Sequence, residues 1–306
     1  MKPLIVVCGP TAVGKTAVAV GLARRLDTEV ISADSMQVYR HLSIGTAKPN
    51  ADELGGAPYH LVDCVDPDYQ FNLGDFVEAA TGHVDRLLTQ GRTPIVCGGT
   101  GLYIRGLLHG VFEGPTRDMD VRRVLAGRAE REGLAVLHAD LARVDPQAAA
   151  RIPPADRQRI LRALEVWHVT GCRISELQTQ TTDTQRWPAR TFVLTLPREQ
   201  LYQRINERVT AMAARGLADE VRRYLAAGFT RTNPALRALG YMELIEHVEG
   251  VRSFESALQE MARKSRKYAK RQLTWFRAVR DADWIDVEGR TAEEVAGEIL
   301  SRIADV

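Results

Sequence analysis

A parallel α/β sheet with helices on both faces, interrupted by an all-helical insertion, is the architecture this 306-residue sequence predicts. Three observations lead there. Short apolar runs alternate with helical periodicity between residues 3 and 97. The first run stops at a glycine-rich turn, Gly9-Pro10-Thr11-Ala12-Val13-Gly14-Lys15-Thr16, which opens a helix. From residue 114 to about 184 only helical periodicity is found.

Residues 3–8 (PLIVVC) read as a buried parallel strand, because such strands are apolar on both faces. An Ala/Val/Leu-rich helix follows from Lys15 to about Leu26, and then a strand at 29–33 with Asp34-Ser35 at its carboxyl end. That strand is expected beside the first. Residues 40–57 read as a long loop and 59–63 as a strand; Asn72 is a candidate N-cap for a helix running to Gln90, stopped by Gly91. A strand at 94–97 runs into Gly98-Gly99-Thr100-Gly101. The character changes near Gly114-Pro115, and a Thr/Gln-rich stretch, 178–185, closes the helical segment. The boundaries expected are therefore 1–113 with 185–306 for the α/β core and 114–184 for the insertion. Residues 190–196 read as a return strand, with helices at about 198–214, 217–227, 235–248 and 254–279. Residues 284–287 and a helix from about Thr291 finish the chain.

Composition narrows the class. Hydrophobic residues make up 45% and charged residues 26%, ordinary globular usage that excludes disordered and fibrous chains. No run approaches the roughly 18 apolar residues that span a bilayer, and the apolar start is too short for a secretory signal. Cys8, Cys64, Cys97 and Cys172 are widely spaced and read as reduced, mostly buried thiols, so a cytoplasmic protein without membrane partners is expected. The histidines show no metal-binding spacing. Residues 261–280 carry eight basic residues and no acid, which leaves 33 basic against 39 acidic groups elsewhere. Such clustering marks a surface for a polyanion.

The turn at 9–16 matches the phosphate-binding loop, or P-loop, G-x-x-x-x-G-K-[ST]. Its glycines let several N–H groups point inward, Lys15 adds a mobile charge, and Thr16 offers a hydroxyl to Mg²⁺. The protein is therefore expected to bind a di- or triphosphate, with the helix dipole helping. Asp34, at a strand carboxyl end, faces the ligand crevice of an open α/β sheet as a general base or a water-mediated Mg²⁺ holder. Gly98 to Gly101 would face the same cleft. Most P-loop hydrolases end the corresponding strand in a metal-binding acid, and glycines there argue against a routine ATPase. On the 261–280 helix, Arg263, Lys267, Lys270 and Arg271 share a face, and Tyr268, Trp275 or Phe276 would stack on bases. A small-molecule kinase explains the loop, Asp34 and the insertion but leaves the basic helix unused. An RNA-binding module switched by a nucleotide explains the helix but leaves Asp34 without a role.

Taken together, GPTAVGKT (9–16), SADSMQVYR (32–40), GTAKP (45–49), GGTGLY (98–103), ALGY (238–241) and YAKRQLTWFR (268–277) resemble the tRNA dimethylallyltransferase family, the bacterial tRNA isopentenyltransferases. The motifs fall in the family's order across nearly the whole chain. Val13 departs where Ser is common, and Met242 where a basic residue is common.

The resemblance implies transfer of a dimethylallyl group from dimethylallyl diphosphate to the exocyclic nitrogen of the adenosine 3′ of the anticodon, by a P-loop protein; a monomer is the default expectation. Asp34 would be the base, and Lys15, Thr100, Arg208 and Mg²⁺ near Thr16 would stabilise the departing diphosphate in the loop from Gly9 to Thr16. Ser35, Met36 and Gln37 would hold the extruded base. Arg122 and Gln158, Arg159, Ile160, Leu161 and Arg162 of the insertion would contact the anticodon arm. Arg237, Gly240, Tyr241, Lys270, Arg271, Gln272, Trp275 and Arg277 would contact RNA from the core.

Overall fold

Leu4–Cys8 form β1, and all five residues are buried. Ile5 and Val7 point into one core with α1 (Lys15–Arg25) and α14 (Ala292–Ala304), while Leu4, Val6 and Cys8 alternate onto the other face and are equally buried. That is the signature of a sheet covered on both sides. The computed structural model describes residues 2–111, 118–178 and 185–304. It divides into two compact units, Met1–Leu108 with Gln185–Val306, and His109–Thr184.

The first unit is built on a six-stranded parallel sheet. Its strands are β1, β2 (Val30–Ser32), β3 (Tyr59–His60), β4 (Ile95–Gly98), β5 (Ala189–Thr195) and β6 (Asp283–Asp286). Their spatial order is β3-β2-β4-β1-β5-β6, with every pair parallel. The strand before Asp34 is thus not beside β1, as the sequence suggested. β4 lies between them, so the turn after β4 meets the ends of both β1 and β2. Strand succession reverses about β1, and such switch points are where open α/β sheets bind ligands.

Helix α3 (Leu73–Thr89) begins with a capping box, the Asn72 side chain accepting from Gly74 and Asp75 while Asp75 accepts from the Asn72 amide. Its Phe76 stacks on Tyr103 of α4 (Gly101–His109), ring centroids 4.3 Å apart. The loop expected over 40–57 contains one short helix, α2 (Ala51–Leu54), with its own capping box at Asn50 and Glu53. β3 is shorter than the expected 59–63 because Leu61 and Asp63 take left-handed backbone angles, φ 60° and 54°. The helix expected over 235–248 is two pieces: a 3₁₀ turn, Pro234–Arg237, and α12 (Tyr241–Val248). Gly240 separates them at φ 88°, where an added Cβ would lie 2.4 Å from the Met261 side chain.

Helices α10 (Arg198–Ala214), α11 (Leu217–Ala226), α12 and α13 (Phe254–Phe276) build a second core of this unit, enclosing Val38, Tyr39 and Leu42 of the segment after β2. The other unit contains α5 (Met119–Glu132), α6 (Leu134–Val144), α7 (Pro146–Arg151), α8 (Arg157–Thr170) and α9 (Ile174–Gln178). Leu125, Leu137, Leu141, Ile160, Leu161 and Leu164 form its separate core. The expected boundary turn at Gly114-Pro115 and most of the polar stretch 178–185 lie outside the described residues. Two of the four cysteines, Cys64 and Cys172, are exposed rather than buried.

Glu29, leading into β2, ties the sheet edge to α3. It accepts from Arg92 at 2.8 Å, pairs with His60 Nε2 at 2.7 Å, and pairs with Arg86. The Arg86 hydrogen bond, opposed by partial burial and helped by His60, holds its carboxyl down at about 2 from an ordinary 4.5. A depressed carboxyl stabilises the fold fully above its unfolded value and loses that contribution as the pH falls through the folded one. Urea midpoints of the protein and its Glu29→Gln variant are therefore expected to differ at neutral pH and to converge between pH 4.5 and about 2. A gap that is constant over this window would rule out the linkage.

Candidate active site

The loop after β1 begins against backbone that leaves no room for a side chain at Gly9. A Cβ on Gly9 (φ 140°) would sit 2.5 Å from the Leu194 carbonyl oxygen of β5. Gly14, at φ 102°, is the N-cap of α1, and no side chain caps that end. The first N–H groups of α1 are therefore available to an anion. Lys15 Nζ donates to the Pro10 carbonyl at 2.8 Å, folded across the loop. Burial pulls its pKa down, Arg208 nearby adds to this, and Asp34 and Cys97 oppose it. Arg208, from α10, donates to the Thr11 hydroxyl at 3.4 Å, and burial lowers its pKa too. Two cations, Lys15 from the loop and Arg208 from α10, thus meet at this turn, an arrangement that suits a polyanion.

Asp34 follows β2. Its Oδ1 accepts from the Met36 amide at 2.9 Å and the Gln37 amide at 3.3 Å, an Asx turn that holds the carboxylate in place. Among the described residues no hydrogen bond reaches Oδ2. Thr100 stands opposite: its hydroxyl accepts from the Ser35 amide at 3.1 Å, and its own amide donates to the Ala33 carbonyl at 3.1 Å. The loops after β2 and β4 are thereby joined. Gly98 permits this, since a Cβ there would lie 2.2 Å from Ala33 O. Burial, with Asp34 close by, pushes the pKa of the Tyr268 hydroxyl up to about 12, so it remains a neutral phenol.

Thr16, the last residue of the loop motif, is partly exposed in the first turn of α1. No group of three or more His, Cys, Asp or Glu side chains gathers as a metal site among the described residues. A single hydroxyl such as that of Thr16 would fit Mg²⁺, which is commonly held by one or two protein oxygens together with substrate phosphates.

A P-loop, a positioned carboxylate and a threonine thus converge on the carboxyl ends of β1, β2 and β4. Residues 37–279 match the model of the IPP transferase family, and residues 2–62 that of the isopentenyl transferases. The chain belongs to the IPP transferase family. It is 46% identical over 293 residues to tRNA dimethylallyltransferase 1 of Syntrophotalea carbinolica, covering 95% of this chain and 93% of that relative. It is 49% identical over 286 residues to the tRNA dimethylallyltransferase of Syntrophobacter fumaroxidans, covering 93% and 83%. Among solved structures, the tRNA isopentenylpyrophosphate transferase of Bacillus halodurans matches with a TM-score of 0.73 at 38% identity, over 100% of this chain and 98% of that one. A eukaryotic dimethylallyltransferase described as acting on tRNA matches with a TM-score of 0.81 at 25% identity, over 99% and 80%.

In this IPP transferase several residues expected at the RNA are otherwise engaged. Ile160 and Leu161 are buried in the helical core, where the apolar stripe of α8 places them, so their side chains cannot be RNA contacts. Arg122 and Arg162 both pair with Glu165, which is fully buried and also accepts from the Asp118 amide at 2.9 Å. Gln37 is 8% exposed and is no free reader of an adenine edge. Its Nε2 donates to the Thr46 and Ala47 carbonyls at 3.3 and 3.1 Å, and its Oε1 accepts from Ser32 at 3.3 Å. Tyr241 is buried and donates to Glu220 at 2.6 Å, Gly240 is buried, and Met242 packs on the core beneath the 36–48 segment.

Other expected residues are accessible. Gln158, Arg159, Arg237, Lys270, Arg271 and Arg277 are exposed, Ser35 and Met36 are partly so, and Trp275 is 37% exposed. Three of the eight cations of the basic helix have protein partners, Arg263 with Glu260, Lys264 with Glu243, and Arg266 with Asn206. Among the described residues Lys267, Lys270, Arg277 and Arg280 have no ion pair, and the Arg271 guanidinium lies over the Tyr268 ring.

One supporting residue, Glu220, was not foreseen from the sequence, and Gln272, expected at the RNA, is a support instead. Glu220 accepts from the Ser43, Ile44 and Gly45 amides at 2.7, 2.7 and 3.1 Å as well as from Tyr241. Gln272 spans two loops. Neither carries a local signal, since each acts on chain far away in sequence.

Proposed function

We propose that this protein transfers the dimethylallyl group of dimethylallyl diphosphate to the exocyclic amino nitrogen of the adenosine 3′ of the tRNA anticodon. What supports this most is the meeting, at one crevice, of a cationic P-loop after β1 with a carboxylate after β2, with β4 between the two strands. The loop is charged for a diphosphate leaving group, and the carboxylate faces where a nucleophile would lose its proton.

In the reaction the C1–O bond of the substrate breaks and a C–N bond forms, with diphosphate leaving and the amino proton passing to Asp34. The adenine amino group is a weak nucleophile, and removing its proton as the new bond forms is worth about 10²–10⁴-fold. Lys15, Arg208 and the amides at the start of α1 stabilise charge on the departing oxygens. Such preorganised donors act strongly in a desolvated site. Mg²⁺ beside Thr16 would supply further positive charge to the phosphates. Thr100 anchors the Asp34 loop and is placed to hold the acceptor base.

The target base must leave its stack, at a cost of a few kcal/mol. The open cations of α13 suit the RNA backbone, and the exposed Gln158 and Arg159 suit the anticodon arm. On this reading the protein works as a cytoplasmic monomer. No helix among the described residues is long and apolar enough to cross a membrane.

The test mixes protein, Mg²⁺, labelled dimethylallyl diphosphate and unmodified tRNA, with a parallel reaction holding ATP alone. Label in the adenosine next to the anticodon without any need for ATP is expected. Phosphate passing from ATP to a small acceptor, with no label in RNA, would replace this reading by a kinase.

A further inference from the structure

Tyr268, Gln272 and Trp275 lie four and three residues apart, on one face of α13. That face looks into the crevice, while Lys270, Arg271 and Arg277 are exposed. Gln272 is 5% exposed, and both ends of its amide are used. Oε1 accepts from the Thr11 amide at 2.8 Å, and Nε2 donates to the Gly99 carbonyl at 2.9 Å. One side chain thus bridges the loop after β1 and the loop after β4. The glycines of the second loop are shaped by this contact: a Cβ on Gly99 would fall 2.1 Å from Gln272 Nε2, and one on Gly101 2.1 Å from the Trp275 ring. The Gly98–Gly101 turn is therefore glycine-rich to admit Ala33, Gln272 and Trp275, three protein neighbours.

We propose that Gln272 is a positioning residue that sets the separation between the diphosphate loop and the acceptor loop, and that it is not an RNA contact. The inference rests on the transferase reading above and deepens it. On one side Gln272 holds Thr11, whose hydroxyl accepts from Arg208. On the other it holds Gly99, next to Thr100, whose hydroxyl secures the Asp34 loop through Ser35. Leaving group and nucleophile sit on different loops, so their distance is set by whatever spans the two. A misplacement of 1 Å costs about 10²-fold in rate.

Gln272→Met keeps the length and removes both hydrogen bonds; Gln272→Asn keeps the amide but is one methylene too short to reach both loops. Three quantities are measured for each: kcat at saturating substrates, calorimetric affinity for inorganic diphosphate with Mg²⁺, and affinity for an anticodon stem-loop RNA. Thermal unfolding confirms that the variants are folded. For both, kcat is expected to fall about 10²-fold and diphosphate affinity about tenfold, the effect of one lost hydrogen bond to a polar partner, with RNA affinity unchanged. Loss of RNA affinity with full kcat at saturating RNA would overturn the proposal and make Gln272 an RNA contact. Wild-type kcat and diphosphate affinity in Gln272→Asn would overturn it as well. If the unsubstituted protein transferred no dimethylallyl group, the transferase reading would fail, while the diphosphate affinities would still report on the loop.

Discussion

Asp34→Asn is expected to lower single-turnover transfer by about 10²–10⁴-fold without weakening diphosphate binding. Asparagine is the informative replacement because of the Asx turn. Oδ1 accepts from the Met36 and Gln37 amides, and an asparagine carbonyl oxygen can accept both. Only the second oxygen changes, to an NH₂ group that cannot take a proton. Alanine would remove the base and the turn together and leave their effects mixed. The P-loop cations are untouched in either case, so calorimetry with inorganic diphosphate separates binding from chemistry. An asparagine variant that still turns over at the normal rate would mean that the proton leaves by another route.

The other large effect is expected at Glu220, through folding as much as through catalysis. This carboxylate is 4% exposed and accepts from three successive amides and the Tyr241 hydroxyl. Burial, with the negative charge of Glu220 close by, drives the Tyr241 phenol well above its usual range, so Tyr241 is a fixed donor. Gly45 lets the tyrosine in, since a Cβ there would fall 2.6 Å from the ring. Glu220→Ala leaves four donors without an acceptor. Each such loss costs about 1–3 kcal/mol when water cannot replace it, and Ser43 at the surface can be rehydrated. A total loss of about 3–5 kcal/mol is expected in urea unfolding, as for other buried charged networks broken on one side. Activity should fall further than folding accounts for, because Gln37 is fastened to the Thr46 and Ala47 carbonyls of the same turn. Unchanged stability in Glu220→Ala would show that the turn is held by its apolar contacts instead.

The parts legible in the sequence were those written in local patterns. An apolar run, a P-loop and a helix occur consecutively between residues 4 and 25, and their geometry follows from glycine and helix-cap chemistry alone. The Asn72 cap and the independent helical segment were equally local. Tertiary contacts defeated the rest. The stripe Ile160, Leu161, Leu164 marked a helix face, and the core it implies is also what removes Ile160 and Leu161 from any RNA surface. Gly240 reads as an ordinary helix residue until Met261 is seen against it, and the true break follows from that contact. Strand adjacency is set by crossovers, which is why β4 could come between β1 and β2 without a sign in either strand. The single stretch of positive charge in α13 hid acids brought from elsewhere, such as Glu243.

The order of the strands has a consequence for the making of the protein. β1 pairs on one side with β4 but on the other with β5, Leu4 opposite Ala189, and the whole helical unit is encoded between those two partners. A growing chain therefore holds its central strand half-paired while the intervening residues are translated. At about 5–20 residues per second the interval lasts roughly 5–20 s. Throughout it an apolar strand presents an open edge, the kind that captures other chains. The helical segment is contiguous and has its own core, so it can fold within that window, before the sheet closes. Its length is thus also a delay in translation, during which protection by chaperones would matter most.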